Sequence, residues 1–365
     1  MNTRERFVRT LTGQEVDRVP FMKIFGGTND TMPSWELEYP GISQCIDKVI
    51  GFEGEYRGWQ ITPVNTYLSQ VGAPEILEDN EARKVERQGD GTVIIYSKGD
   101  KHGFSHTAEW PVKNIKDWCR IKEKHLQADD PSRFPKDWHN YVKSYRRRDY
   151  PLQLTHSGVY GFARLMMGDE SLAYAFYDEP EMVHDIMDSY TDMCIGIWSK
   201  MAENVEFDLI ECWEDMAFNS GALISPALFR EFMKPNYLKI KRFAQEHNIG
   251  IILVDSDGYI EDLAALMIES GVNCMYPFEV QAGNNARKVL DRHEGLGAVG
   301  CLDKNVMDTG KNAIDAEMKR ARELIRQGRI IPGPDHFPIK SSFENYRYFM
   351  ESLKEVVMTT KPEQG

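Results

Sequence analysis

The chain has no stretch approaching the ~18 consecutive apolar residues that a membrane-crossing helix requires. Its start, Met-Asn-Thr-Arg-Glu-Arg-Phe-Val-Arg, holds no apolar signal core. A cytoplasmic protein without a membrane partner is the expectation. It also lacks a surplus of basic charge: 57 acidic residues stand against 44 basic ones, a formal charge of −13. No basic excess is available to displace counterions from phosphates, which argues against a nucleic-acid partner. The short run Tyr145-Arg-Arg-Arg-Asp149 reads as a solvated loop or helix end.

Six cysteines (Cys45, Cys119, Cys194, Cys212, Cys274 and Cys301) show no CxxC or CxC spacing. That pattern indicates neither a disulfide framework nor a zinc knuckle, and they read as reduced, mostly buried thiols. No GxGxxG or P-loop spacing is found, so a nucleotide phosphate site has no support. No low-complexity linker or internal repeat divides the chain. Its 365 residues, 41% of them hydrophobic, fit one domain spanning 1–365, on a barrel of roughly 250 residues plus insertions. Oligomeric state stays open, a homodimer included.

What the sequence does have is a recurring punctuation. Four times in its last third an apolar run ends in an acid at a turn: Gly250 to Asp255-Ser-Asp257-Gly258, Val272 to Glu279, Leu296 to Asp303-Lys304, and Ile330 to Asp335-His336. Helical spacing follows each run, as in Ile260–Ser270. The repeat is therefore βα, and parallel strands need such crossovers. Earlier strands are expected at Val19–Phe25, Gly58–Val64, Leu152–Gly158 and from Phe207 to Trp213, joined by helices such as Glu179–Ala202 and Pro226–Glu246. Eight units in order predict a single (β/α)8 barrel. Between about 74 and 110 the rhythm breaks. There Asp90-Gly91 and the β-branched run after it predict a β-hairpin flap, Glu81–Tyr96, near the barrel mouth.

The opening Arg4-Glu-Arg-Phe-Val-Arg-Thr-Leu through Asp17-Arg18-Val19-Pro20, the middle Gly161-Phe-Ala-Arg-Leu-Met-Met-Gly168 and Ile224-Ser-Pro226-Ala-Leu-Phe-Arg resemble the uroporphyrinogen decarboxylase superfamily. The likeness runs over nearly the whole chain and implies a (β/α)8 barrel with a deep site at the strands' carboxyl ends. True decarboxylases of that superfamily carry Arg-Gln-Ala-Gly-Arg after the first strand, where cations meet the carboxylates of the porphyrinogen. Here the stretch is Lys23-Ile-Phe-Gly-Gly27, without the arginine pair, and an acid-lined mouth opposes a substrate of many carboxylates.

The superfamily's corrinoid-linked methyltransferases hold zinc with a His-x-Cys and a later Cys. The matching positions here are Asp255-Ser256-Asp257 and Asp335, oxygen donors that suit a harder cation or none. The resemblance implies methyl transfer from a small methylated donor, such as a methoxylated aromatic, to a corrinoid protein. A decarboxylase or lyase acting on a small acid is the alternative, and a non-catalytic tetrapyrrole- or corrinoid-binding protein is a second.

Candidate site residues follow from the strand ends. Asp255, Glu279 and His336 are the catalytic candidates, and Asp257 and Asp335 the candidate metal ligands, for zinc or a harder cation. Asp257 has a competing reading as a helix N-cap, and Glu279 one as an ion-pair partner of Lys304 or Arg287. An imidazole among acids favours its charged form, which suits His336 to proton transfer near neutrality. His156, Glu211, Trp213 and Lys304 are expected to line the pocket, with Glu211 and Trp213 on one face by alternation. Glu214 or Asp215 is expected to cap the following segment. Met166-Met167 reads as helix core.

Overall fold

The computed structural model describes residues 1–24, 31–53, 58–98, 105–336 and 340–363. Its main sheet has seven parallel strands, each paired with the next in the chain. They are β1 (Gln60–Ile61), β2 (Leu152–His156), β3 (Leu209–Trp213), β4 (Ile251–Asp255), β5 (Cys274–Tyr276), β6 (Gly297–Leu302) and β7 (Ile330–Pro334). The four late strands and the two in mid-chain lie where the apolar runs place them.

Alternation sorts their side chains. Leu209, Ile251, Leu253, Cys274, Tyr276, Val299 and Ile331 pack together on one face, with Met22, Ile24 and Trp59. Ile210, Cys212, Ile252, Val254, Met275 and Ala298 join the helices on the other. Burial on both faces is why these strands read as near-continuous apolar runs. Helix α1 (Thr3–Leu11) is started by a capping box between Asn2 and Glu5. Its buried Phe7 and Leu11 join the inner cluster, and the Leu11 carbonyl lies beside Gly297 at the start of β6. With that end plugged, the carboxyl ends are left for chemistry.

The expected first strand departs from this pattern. Val19, Phe21, Met22 and Ile24 are buried, yet the segment forms no strand pairing among the described residues, and Phe25 lies outside them. It nevertheless touches both margins of the sheet: a Cβ on Gly333 of β7 would lie 2.3 Å from Ile24, and one on Gly58, just before β1, 2.7 Å from Met22. The second expected strand shrinks to β1, two residues long.

The insertion is larger than a hairpin. It is a four-stranded antiparallel sheet made of Gly72–Asp79, Arg83–Gly89, Val93–Ser97 and Ser105–Glu109. The Asp90-Gly91 turn is where the sequence puts it, with Gly91 at φ 102°. The outer strands escaped notice because they are exposed on both faces and show no apolar alternation.

Helix α2 (Val159–Met167) follows β2, and α3 (Pro180–Ala202) begins one residue inside its expected start. Met166 and Met167 are core residues, as read. The expected helix Pro226–Glu246 is broken by a wider π turn at Phe229–Met233 before α4 (Lys234–Glu246). Of the basic run, Arg148 is not solvated: its side chain is 3% exposed and it pairs with Asp208 at 3.0 Å. No helix among the described residues is long and apolar enough to cross a membrane, and all six cysteines are free.

Candidate active site

Parallel register puts Asp255 level with Trp213 on one side and Tyr276 on the other, while Leu253 sits opposite Glu211. Glu211, Trp213 and Asp255 therefore share the inner face with Tyr276. The Tyr276 hydroxyl lies 2.7 Å from Asp255 Oδ2 and 2.8 Å from Glu211 Oε1, and both acids are buried. A phenol has one proton to give, so it donates to one carboxylate at a time and holds the two side by side. Replacing it with phenylalanine takes the bridging donor from two buried acids. Tyr276→Phe is expected to cost about 1–3 kcal/mol, read as a lowered denaturant midpoint at unchanged slope. An unchanged midpoint refutes the bridging role.

A second group gathers at the ends of β4 to β7. His336 Nε2 stands 3.6 Å from Asp257 Oδ2. Glu279 accepts from the Gly258 amide at 2.9 Å and lies 3.3 Å from the Lys304 ammonium. Of its two candidate partners Glu279 takes Lys304, because Arg287 is bound to Glu323. Asp335 is fully buried and accepts from the Val280 amide at 2.6 Å and the Lys304 amide at 3.2 Å, bracing the loops after β5 and β6. Burial pushes the Asp335 carboxyl up to about 6, against the pull of those two amides and of the Lys304 charge. Asp257 is pushed up to about 7, first by desolvation, then by the charges of Asp215, Glu279 and Asp335, with Lys304 opposing. Near neutral pH it is therefore shared between its protonated and charged forms.

His156 does not join either group. On β2 it shares a face with Leu152 and Leu154, so its ring lies against Tyr190 and Trp198 of α3, fully buried, with neither nitrogen partnered. Desolvation there pushes it down to about 3. Glu214 is a cap, but of the preceding unit: it accepts from the Val159 and Gly161 amides at 2.8 and 2.9 Å at the start of α2. Asp215 takes the Asp257 amide at 3.4 Å on one oxygen and Arg164 at 3.4 Å on the other. Tyr276 and Arg164 were missed as site residues. Strand parity was the signal for Tyr276, two positions beyond the inward Cys274; Arg164 sits on a helix and gave none.

Among the described residues, no group of three or more His, Cys, Asp or Glu side chains is arranged to hold a metal ion. The donors at hand do not suit zinc. Asp335 is engaged by two amides and Glu279 by an ammonium, and that ammonium repels a divalent cation. Burial pushes the thiols of Cys212, Cys274 and Cys301 up, away from the thiolate that zinc binds.

Parallel strands with acids collected at their carboxyl ends define an α/β protein of the class that puts its chemistry there. Residues 108–356 match the family described as Uroporphyrinogen decarboxylase (URO-D), and the chain belongs to that family. Of the stretch Lys23–Gly27, the described Lys23 is bound to Asp47 at 2.7 Å, and residues 25–27 lie outside the described set. A methyltransferase from Methanosarcina mazei is similar in fold over 97% of this chain and 99% of its own, with 17% identity and a TM-score of 0.63. A B12-independent methionine synthase from Shewanella sp. W3-18-1 aligns over 96% of this chain and 98% of its own, with 9% identity and a TM-score of 0.39, too low to carry an argument. No curated protein gives a significant match.

Proposed function

We propose that the chain is a methyltransferase of the (β/α)8 barrel type, with the inserted sheet near its mouth. It takes a methyl group from the oxygen of a small methoxylated donor and passes it to a corrinoid carried by a partner protein. The observation that carries this reading is Asp257, whose carboxyl lies 3.6 Å from His336 Nε2 at the rim of the strand ends, where desolvation and neighbouring acids push it up toward neutrality. Breaking a methyl–oxygen bond sends the bonding electron pair to oxygen, and a proton delivered there makes the departing group neutral. Asp257 gives that proton and His336 returns one from solvent. Glu211 and Asp255, held by Tyr276, form the inner wall against which the donor rests.

Among the described residues, the cysteines at the strand ends offer no methyl acceptor. Cys212, Cys274 and Cys301 are buried with raised thiols, so the acceptor comes from outside. A reduced corrinoid is an electron-pair donor suited to that role. The zinc of related methyltransferases has no matching donor set among the described residues.

Lys304 in the same mouth favours one other reading, decarboxylation of a small acid held by its ammonium. Mixing the protein with a reduced corrinoid carrier protein and a panel of methoxylated aromatics separates the two. Methyl transfer is expected as a change in corrinoid absorbance with release of the phenol. No spectral change across the panel, or CO2 release from an acid without methyl transfer, overturns the proposal.

A further inference from the structure

Solvent reaches the inner face of the main sheet in one sector only, among the described residues. Register places Ile61 of β1 level with Gln153, and Gln153 level with the inward Leu209. Two residues on, Thr155 is level with Glu211. Ile61, Thr155 and Trp213 therefore share the inner face. Ile61 is 45% exposed there, and Thr155 and Trp213 are half-buried. Every residue of β4, β5, β6 and β7 is buried, and so is Glu211. Open positions on three adjacent strands, with closed ones beside them, mark a well on the β1–β3 side of the mouth. Its lining is an aliphatic side chain, an indole and, on the strand between them, one hydroxyl. Small-molecule sites have that make-up, mostly apolar with a few placed polar groups that fix orientation.

The hydroxyl is held ready to donate. Gln153 Nε2 gives a hydrogen bond to Thr155 Oγ1 at 2.9 Å, from two residues deeper in the strand. No other hydrogen bond engages that hydroxyl among the described residues, and Glu211 beside it meets the Tyr276 phenol instead. A threonine hydroxyl has one proton to give, so this one is left for the open side. Gln153 is 1% exposed, and its Oε1 is buried without a partner. An apolar side chain would avoid that orphaned acceptor. What the amide does in return is orient Thr155.

We infer that the Thr155 hydroxyl positions the methyl donor, by giving a hydrogen bond to an oxygen of a ligand whose apolar body lies between Ile61 and Trp213. That this ligand is the methyl donor rests on the function proposed above; its binding does not.

Anisole and ethylbenzene have nearly the same shape, and only anisole carries an oxygen. Titration of the full chain with each, followed by ligand-detected NMR, is expected to show both bound by the parent. Thr155→Val keeps the shape of the side chain and removes the hydroxyl. It is expected to weaken anisole about three- to tenfold, the worth of one hydrogen bond, and to leave ethylbenzene unchanged. Thr155→Ser, which keeps the hydroxyl, is expected to retain most of the anisole affinity. Thermal midpoints of both variants confirm that they are folded. Anisole affinity within twofold of the parent in folded Thr155→Val, an equal loss for the two ligands, or a parent that binds neither overturns the inference. If Thr155 holds anisole as expected but no donor is demethylated, the methyltransferase reading fails instead.

Discussion

Asp257→Asn is expected to lower methyl transfer by roughly 10²–10⁴-fold, the range for a lost general acid. It should also remove the decline in rate on the alkaline side of neutrality. The carboxyl is pushed up to about 7, so the parent loses its proton-bearing form as pH rises through that value, and its rate falls with it. An amide cannot lose that proton, so the variant should be slow and flat. Stability moves in the same direction for a separate reason. A carboxyl whose affinity for protons is raised by folding contributes stability that is fully present below its ordinary value of 3.8 and is lost as pH rises through about 7. The parent's thermal midpoint should therefore fall relative to that of Asp257→Asn between pH 5 and pH 8. Since 42% of the Asp257 side chain is exposed, solvent screens the effect, and it is read as a difference between two curves. A variant within a few-fold of the parent rate, with the alkaline limb intact, would assign the proton to His336 or Asp255.

The fold was legible where burial on both faces made the strands uniformly apolar. Ile251–Asp255 and Gly297–Leu302 carry no polar residue before their last positions, and their parallel partners lie on either side. It was less legible where pairing does not follow burial. Val19–Ile24 is apolar and buried but for Lys23, yet it lies against the sheet margins without a ladder. Ser105–Glu109, by contrast, pairs along its length with hardly a buried side chain. Hydrophobicity reports removal from water; backbone pairing also depends on the geometry of the neighbouring strand.

Much of the site was legible through parity. Glu211 and Trp213 were assigned to one face because strand side chains alternate, and Leu209 confirms that this face is the inner one. The same rule, applied to β2, excludes His156, which follows Leu152 and Leu154 outward; being last in a strand does not turn a residue toward the mouth. What no local pattern carries is the meeting of groups from different units. The Tyr276 bridge joins β3, β4 and β5, and Arg164 reaches Trp213 from a helix two units before β4.

Glu214→Ala is expected to be the most damaging single change to the fold at the site. The carboxylate is fully buried and meets the Val159 and Gly161 amides at 2.8 and 2.9 Å, together with the Tyr237 hydroxyl. Helix α2 begins hard against β3: a Cβ on Gly158 would lie 2.2 Å from the Trp213 carbonyl oxygen, and one on Gly161 2.3 Å from it. Alanine leaves two amides at a helix start and a phenol unpaired in the interior, with a cavity besides, a loss of about 3–5 kcal/mol. Burial also raises the Glu214 carboxyl above the usual carboxylate range, with the phenol and amides opposing. Glutamine keeps one acceptor oxygen and fills the space, but it turns an NH2 toward one of the two amides, so Glu214→Gln should fall between the parent and the alanine variant. Denaturant melts of the two variants provide the check: an alanine variant as stable as the glutamine one would mean that α2 is held by packing of Phe162 and Met166 rather than by its cap.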